Sequence, residues 1–344
     1  MGVNLKDLFE HPETRMDEFN GKRLAIDAFN IAYQFLTSIR QPDGTPLMDS
    51  KGNITSHLSG LFYRSINFIE AGIQPIYVFD GEPPDFKAVT IEKRKEKKRQ
   101  AAESYERAVK EGEMGSLRMY AQQTAVLTED MVEESKKLLS AMGIPSVQAI
   151  GEGEAQAAQM AAKGEAYASV SQDYDSLLFG SPILVRNLSI TGKRKLPRRN
   201  DYVMVLPERI PLEENLKRLG ITREQLVWIA VMVGTDYNSG IKGVGPKTAY
   251  KLVQKYNSFE EISKYVEEKY GMGFPYNIDK IMGHFLDPPY TEKFKLDFGK
   301  PDPDKISTIL SEEHEFSKDR IGQGIKRLDA ALNVKIKQST LSFE

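Results

Sequence analysis

Short apolar runs that alternate with helical patterns are the feature that most constrains the fold of this chain. The runs occupy residues 22–27 (KRLAID), 74–80 (QPIYVFD), 144–150 (IPSVQAI), 166–173 (AYASVSQD) and 182–188 (PILVRNL). Each has the length of a β-strand and is bounded by turn residues. Helical patterns at 56–70, 129–142 and 154–163 lie between them. Strands that alternate with helices predict an α/β fold, in which helices flank a twisted, mostly parallel sheet.

Acidic residues follow four of the predicted strands, and they are Asp27, Asp80, Glu152, Glu154, Asp173 and Asp175. An Asp after a strand is often only a turn residue or a helix N-cap. That interpretation fits less well for the two glutamates, because Glu is a poor turn former, and for the Asp173/Asp175 pair, which lies between apolar residues. In open parallel sheets, ligands bind beyond the carboxyl ends of the strands. We therefore expect these side chains to meet at one edge of the sheet.

Clustered carboxylates repel one another unless a cation neutralises them. Oxygen ligands suit hard divalent cations, and Mg²⁺ is the one most often paired with phosphate chemistry. Two such ions about 4 Å apart can activate a water and stabilise a leaving oxygen in phosphodiester hydrolysis. The acids therefore predict a two-ion Mg²⁺ site, with Mn²⁺ as the alternative ion.

Other chemistries are excluded or disfavoured by composition. The 344 residues include no cysteine, so disulfides, cysteine-ligated zinc and thiol nucleophiles are ruled out. The four histidines are scattered, and there is no G-x-S-x-G motif. Residues 240–248 (GIKGVGPKT) resemble a phosphate-binding loop only superficially, because Pro246 separates the last glycine from Lys247. No signal sequence or membrane-spanning run is present, which predicts a cytoplasmic or nuclear protein.

The charge distribution and the chain organisation add a second set of expectations. Net charge is −2, from 47 Lys+Arg against 49 Asp+Glu, but residues 93–99 (KRKEKKR) and 193–199 (KRKLPRR) are strongly basic. We predict an N-terminal nuclease region at 1–125 with a charged helical insertion at about 87–125, and an internal nuclease region at 126–222. A C-terminal helical region should follow at 223–330, with a flexible tail at 331–344.

Five segments in the same order and spacing resemble the flap endonuclease family of structure-specific 5′ nucleases, closest to its archaeal form. They are 25–33 (AIDAFNIAY), 78–87 (VFDGEPPDFK), 151–158 (GEGEAQAA), 171–177 (SQDYDSL) and 234–247 (GTDYNSGIKGVGPK). The resemblance covers nearly the whole chain. It implies hydrolysis of a DNA phosphodiester at a branch point, in Okazaki fragment maturation and repair. A 5′ exonuclease, a bubble-cutting nuclease and a DNA-structure-binding protein without catalysis are the rival interpretations.

The resemblance implies roles for single residues near the cut. The family's metal ligands match the six acids above and Asp236, which follows a predicted helix and is assigned by the resemblance alone. Lys87 and Arg94 match a Lys and an Arg that neutralise the scissile phosphate, and Tyr33 matches a residue that stacks on the neighbouring base. Lys95, Lys97 and Lys98 fit better as a solvated face. The family also places Gly2 near the active site.

The resemblance also implies DNA-binding elements away from the cut. Gly243, Gly245, Lys247 and Thr248 match the hairpin of a helix–two-turn–helix module, which grips the duplex backbone and holds a K⁺ ion. A plain glycine-rich connector is the alternative for this loop. Residues 87–125 match the helical arch beneath which the 5′ strand threads. Thr55, with the helix that follows it, matches the wedge against which the bent duplex packs. The alternative is an amphipathic core helix, and both can be true.

The tail departs from the family pattern. Gln338 and Leu341 begin a motif typical of sliding-clamp (PCNA) binding, but the aromatic Phe343 stands one place early and Glu344 follows it. The motif is therefore degenerate or the sequence is truncated. We expect a monomer that acts on branched DNA with a 5′ flap, binds the clamp through this tail, makes no membrane contact and, in an archaeon, associates with the nucleoid.

Overall fold

The computed structural model describes residues 2–41, 45–88, 90–92, 96, 99–100, 103, 126–195 and 201–341. The strands are β1 (Arg23–Asp27), β2 (Gln74–Phe79), β3 (Ser146–Gln148), β4 (Ala168–Val170), β5 (Ile183–Arg186), β6 (Gly192–Lys195), β7 (Tyr202–Val205) and β8 (Glu208–Pro211). The helices are α1 (Ala28–Ser38), α2 (Ser56–Glu70), α3 (Glu129–Ala141), α4 (Gly153–Ala162), α5 (Asp175–Leu178), α6 (Leu212–Leu219), α7 (Arg223–Val233), α8 (Pro246–Lys255), α9 (Phe259–Tyr270), α10 (Ile278–Leu286), α11 (Pro303–Ser307) and α12 (Lys318–Leu341).

Six strands form one twisted sheet in the order β3-β2-β1-β4-β5-β8. The first five are parallel, and only β8, at the edge beside β5, runs antiparallel. This confirms the predicted mostly parallel sheet flanked by helices. Strands β6 and β7 form a separate antiparallel hairpin. Neither the hairpin nor β8 was predicted. Strands β6 (GKRK) and β8 (ERIP) lack the apolar run by which the other strands were found, whereas β7 (YVMV) has one that we did not assign to a strand.

Both faces of the sheet are covered, which fits parallel strands joined by helical crossovers. Leu24 and Ile26 of β1 are buried in a core shared with α1, α2 and α3. Ala25, between them, faces a second core with residues of α4. This alternation follows the two-residue period of a strand. The carboxyl ends of β1, β2, β3 and β4 consequently lie side by side along one edge.

The C-terminal helices form a third packed unit that meets the N-terminal segment. Buried residues of α7, α8, α9 and α10 share one core with Val3 and Leu5. A loop at 234–245 connects α7 to α8, and α8 begins at Pro246, where the missing N–H costs no helical hydrogen bond. Helices therefore lie on both sides of this loop, within the region 223–330 that we predicted to be helical.

The last helix differs from our expectation for the C-terminus. Helix α12 runs to Leu341, so residues 331–341, which we placed in a tail, continue its backbone. Ile321, Leu328 and Leu332 are buried against the α2 side of the core, so packed side chains extend just past residue 331, where the predicted tail begins. No helix among the described residues is long and apolar enough to cross a lipid bilayer. The predicted arch at 87–125 lies mostly outside the described residues.

A close approach between α12 and α2 generates a stability prediction. A Cβ placed on Gly324 would lie 2.5 Å from the ring of Phe62, which is completely buried, whereas one on Gly322 would meet nothing within 4 Å. We expect Gly324→Ala to lower the free energy of unfolding by about 1–3 kcal/mol through overpacking. Gly322→Ala on the same helix should raise it by up to about 1 kcal/mol, since alanine favours helix. Urea unfolding of both variants tests this, and equal effects would contradict the packing argument.

Candidate active site: a cluster of buried carboxylates

Parallel strand order brings the predicted acids to one edge of the sheet. Asp27 is the last residue of β1, Asp80 follows β2, and Asp173 follows β4. Glu152 and Glu154 lie at the start of α4, directly after the loop that leaves β3. Asp175 begins the short helix α5. The side chains of Asp27, Glu152 and Asp175 are each less than a tenth exposed.

Backbone N–H groups hold two of the aspartates in place. Asp27 Oδ1 accepts a hydrogen bond of 2.9 Å from the amide of Asn30, so this residue is also the N-cap of α1. Asp80 Oδ1 accepts one of 2.7 Å from the amide of Gly153. A Cβ on Gly153 would lie 2.8 Å from that same oxygen, so only glycine permits this approach. Both carboxylates therefore lie at the positive end of a helix.

The N-terminal segment closes the opposite side of the cluster. The amide of Val3 donates to Asp175 Oδ1 at 2.8 Å, and a Cβ on Gly2 would lie 2.6 Å from that oxygen. The main chain of Gly2 therefore lies against the carboxylates, as the sequence resemblance implied. Glu154 is held by Ser176, which donates to Oε1 from its amide at 3.0 Å and from its hydroxyl at 2.8 Å.

Asp236 reaches the cluster from a tight loop after α7. Gly234 ends that helix with a φ of +109°, and Gly240 turns the chain back with a φ of +68°. A Cβ on Gly240 would lie 2.3 Å from the carbonyl oxygen of Val233, so the turn requires glycine. Asp236 Oδ2 lies 3.8 Å from Lys87 Nζ. This contact connects the loop to the acids at the strand ends.

Burial and mutual repulsion shift the ionisation of the acids. Burial, reinforced by the charge of Asp80, raises the pKa of Asp27 to about 8. Burial also raises the pKa of Asp175 to about 7, although the hydrogen bond from Val3 opposes it. The pKa of Asp80 rises to about 6 because burial outweighs the hydrogen bond from Gly153. These groups therefore bind protons more tightly than exposed aspartates do.

The electrostatic contacts join all seven acids into one network. Burial, followed by the charges of Asp175, Asp173 and Asp27, raises the pKa of Glu154 well above its usual value. The charge of Glu152 contributes to the raised pKa of Asp80, and the charge of Asp236 contributes to the raised pKa of Asp175. Asn30 also donates from its side chain to Asp173 at 3.3 Å. Each predicted acid thus interacts with at least one other member of the set.

Lys87 is the cation that the described residues bring into this network. Its ammonium group pairs with Glu152 Oε1 at the end of a short 3₁₀ turn, Asp85–Lys87. Burial disfavours its charge, but Glu152 and Asp236 outweigh burial and raise the pKa of Lys87. Burial likewise opposes ionisation of Glu152, yet His284 and Lys87 lower the pKa of that carboxylate below its usual value. Lys87 and Glu152 are therefore a charged pair.

The donor set fits hard divalent cations, because every group is an oxygen and the negative charges outnumber the cation beside them. Among the described residues, no three acidic or histidine side chains are already gathered tightly enough to hold a metal ion. Protein donors currently hold an oxygen of Asp80, Glu152, Glu154 and Asp175. A bound cation would have to draw the remaining oxygens together.

Several predicted residues lie outside this cluster or outside the described part of the chain. Tyr33 is half-buried on α1, Thr55 is buried just before α2, and Lys247 Nζ lies 4.0 Å from Asp7. Gly243 and Gly245 have open space where a side chain would stand, and Thr248 belongs to the first turn of α8. Gln338 and Leu341 belong to the backbone of α12. Arg94 and Phe343 lie outside the described residues.

Tyr237 and His284, which contact the cluster at Glu152, are among the residues that sequence reasoning missed. Tyr237 donates its hydroxyl to Glu152 Oε2, and His284 Nε2 lies 3.2 Å from the same oxygen. Tyr237 directly follows Asp236, so the prediction of Asp236 could have drawn attention to it. His284 comes from α10 in the C-terminal region, and no local pattern marks it.

Comparison with known proteins places this site in a class of nucleases. The XPG N-terminal domain matches residues 1–101, and the XPG I-region matches residues 143–236. These two regions together contain all seven acids and Lys87. The chain therefore belongs to the XPG class of nucleases, and within it the full-length relatives below define the family.

The chain belongs to the flap endonuclease family. It is 52% identical over 349 residues to flap endonuclease 1 of Staphylothermus marinus, covering 100% of this chain and 99% of the relative. The corresponding protein of Pyrococcus furiosus is 52% identical over 342 residues, covering 99% and 97%. The solved structure of flap endonuclease-1 from Methanococcus jannaschii aligns with a TM-score of 0.76 and 40% identity, covering 97% of this chain and all of that one.

A more distant solved structure shares the fold. The catalytic core of Rad2 in complex with a DNA substrate aligns with a TM-score of 0.67 over 92% of this chain and 96% of that one. Its sequence identity is 24%, so this likeness concerns the fold alone. The fold is thus shared well beyond the family to which the chain belongs.

The raised pKa values predict how stability depends on pH. Asp27, Asp80, Glu154 and Asp175 bind protons more tightly in the folded protein than in the unfolded chain. Their carboxylates therefore make the metal-free protein less stable as pH rises from about 4 to 8. Mg²⁺ should counteract this loss, and it should stabilise the fold by about 2.7 kcal/mol at a free concentration of a hundred times its dissociation constant. The same Mg²⁺ concentration should have a larger effect at pH 8 than at pH 5.5, because protons compete with the cation for the carboxylates. Thermal unfolding with Mg²⁺ and with EDTA measures both effects.

Asp27→Asn provides the informative variant, because asparagine keeps the N-cap and removes the charge. It should flatten the pH dependence of the metal-free protein. Asp130→Asn, on the exposed first turn of α3, is the matched control and should behave like wild type. A pH profile of Asp27→Asn identical to that of wild type would contradict the assigned repulsion.

Proposed function

We propose that the protein hydrolyses a DNA phosphodiester at the point where a 5′ single strand leaves the duplex. Water adds across the scissile bond and leaves a 5′-phosphate and a 3′-hydroxyl. The biological setting is the maturation of Okazaki fragments and DNA repair. The observation that carries this proposal is one network of seven carboxylates, three of them buried and four partly buried, with Lys87 beside it. Binding DNA alone would not require buried acids that repel one another.

Two Mg²⁺ ions, or Mn²⁺ in their place, would supply an activated water and stabilise the leaving oxygen. The residues that would hold them are Asp27, Asp80, Glu152, Glu154, Asp173, Asp175 and Asp236. Their proximity and the burial of Asp27, Glu152 and Asp175 support this role, because carboxylates are stable together in such surroundings only when protonated or neutralised by cations. The chain itself supplies the rigid frame, through the amides of Asn30, Gly153 and Val3.

When DNA binds, the ammonium group of Lys87 would move from Glu152 to the scissile phosphate, and Arg94 would act as a second cation. Its position supports this role, since a protonated amine already lies among the acids. Such a cation stabilises negative charge that develops on the phosphate. Tyr33, on the helix that Asp27 caps, would stack on the base beside the cut.

Recognition of DNA would depend on shape rather than base sequence. The loop of Gly243, Gly245, Lys247 and Thr248 would hold one duplex backbone, with K⁺ bound beside it. The open space at both glycines supports close approach of a phosphate to main-chain amides. Thr55 and α2 would form the wedge against the bent duplex. The arch at 87–125 would guide the 5′ strand.

The protein would act as a monomer, in the cytoplasm near the nucleoid of an archaeal cell. It would engage a sliding clamp (PCNA) through its C-terminus, using Gln338, Leu341 and Phe343. The sequence motif supports this partner, and α12 places Gln338 and Leu341 on one continuous helix.

Cleavage of a 5′-labelled double-flap DNA tests the proposed activity. Mg²⁺-dependent release of the flap is expected, with little cutting of single-stranded or plain duplex DNA and none in EDTA. Asp175→Ala and Asp175→Asn should each reduce cleavage by at least about a hundredfold, the scale for losing one electrostatic contact in an active site. Asparagine keeps an acceptor for Val3, so its failure would identify charge as the cause. Both variants should still bind branched DNA.

The exposed-acid variant Asp130→Ala is the control for cleavage and should cut normally. Unchanged cutting by both Asp175 variants would overturn the metal assignment. Tight, branch-specific binding by wild type without any cutting would instead favour a non-catalytic DNA-structure-binding protein. Indiscriminate cutting would retain the active site and overturn the proposed specificity.

A pull-down with the purified sliding clamp tests the proposed partner. Leu341→Ala and Phe343→Ala should each reduce retention, because clamp motifs bind through buried apolar side chains. Ser339→Ala, between the motif positions, should bind like wild type. Equal retention of all four proteins would refute clamp binding through this tail.

A further inference from the structure

The carboxylate of Glu152 is bound by side chains from three separate segments. Lys87 pairs with Oε1, whereas Tyr237 and His284 both contact Oε2. Tyr237 comes from the loop after α7, and His284 from α10. An ionised carboxylate only accepts hydrogen bonds, so the ring nitrogen of His284 donates to it. The two oxygens therefore have different environments.

His284 is confined within a box of aromatic rings. Its ring lies edge-on to Phe86 at 5.4 Å, to Phe179 at 5.6 Å and to Tyr237 at 5.3 Å, with interplanar angles of 74°, 90° and 88°. Its side chain is 8% exposed. Neighbouring residues Ile281 and Phe285 are completely buried and anchor α10 in the core. The direction of the Nε2 donor is consequently fixed by packing.

The partners of the two oxygens differ in mobility. Lys87 has a flexible stem, lies between Glu152 and Asp236, and is the residue that would leave to meet the phosphate. Its departure frees Oε1. The ring of His284 cannot follow, because its box holds it, so Oε2 keeps its donor. Glu152 would then be held through Oε2 and would present Oε1 to a cation.

We propose that His284 is a positioning residue that holds Glu152 through Oε2 and leaves Oε1 available to a divalent cation. The proposal rests on the proposed metal-binding role of Glu152. Partners that orient a metal ligand typically affect metal affinity about 10–100-fold. A purely structural His284 would need only to fill the aromatic box, which an apolar side chain of similar size can do. A buried imidazole without a partner would instead be costly.

Three variants separate positioning from packing. His284→Leu fills the box without a donor. His284→Gln places an amide N–H near the position of Nε2. Tyr237→Phe keeps the neighbouring ring and removes the other donor to Oε2. Mg²⁺ alone is the probe, its affinity being measured by calorimetric titration and by the rise in unfolding temperature. Binding of double-flap DNA in EDTA is measured in parallel.

We expect His284→Leu to weaken Mg²⁺ affinity by about 10–100-fold while DNA binding in EDTA is unchanged. His284→Gln should restore most of the affinity, and Tyr237→Phe should weaken it in the same direction as His284→Leu. Wild-type affinity in His284→Leu would overturn the inference. So would an equal loss in His284→Leu and His284→Gln, because that pattern would indicate packing.

Glu152→Gln distinguishes this inference from the proposed function. If Glu152→Gln loses Mg²⁺ affinity and His284→Leu does not, only the role of His284 fails. If Glu152→Gln binds Mg²⁺ like wild type, the metal assignment of Glu152 fails and the inference fails with it. If wild type shows no Mg²⁺ binding, both are overturned.

Discussion

Repulsion among buried carboxylates is the constraint on which this structure depends. The charges of Asp27 and Asp175 raise the proton affinity of Glu154, and burial denies all three carboxylates the solvation that would otherwise relieve the repulsion. A chain selected only for stability would replace such acids with apolar side chains. Their retention is explained if the folded protein stores this unfavourable energy for ligands that carry positive charge. The acids thus lower the stability of the metal-free fold and favour the binding of cations.

Main-chain N–H groups next to the sheet offset part of this repulsion. Each of three carboxylates has one oxygen held by a main-chain N–H, from Asn30, Gly153 or Val3. Two of these amides lie in the first turn of a helix, where the backbone carries partial positive charge. The same parallel strand order that collects the acids also aims those helices at them. The parallel strand order therefore both gathers the carboxylates and partly neutralises their charge.

The parts of the site that the sequence predicts are those whose positions depend on local chain direction. Asp27 and Asp80 could be placed because a strand of known length ends at each, and parallel strands share an edge. Asp236 required a family resemblance, since its loop is shaped by Gly234 and Gly240 and not by a strand. His284 could not be predicted at all. Its contact with Glu152 joins residues 132 positions apart and depends on how α10 packs. Such packing leaves no periodic signal.

Glu152 differs from the other acids in how its charge is balanced, and this difference has a mechanical consequence. Its partners are charged or neutral side chains, whereas Asp27, Asp80 and Asp175 rely on main-chain amides. A main-chain amide cannot withdraw without moving the backbone, but the ammonium group of Lys87 can, because it stands on a flexible side chain that follows a single 3₁₀ turn. Loss of the Lys87 contact would leave Glu152 with uncompensated charge at the moment when phosphate and cation arrive. Under the proposed function, Lys87 would thus link binding of the phosphate to the negative charge that is available to a cation.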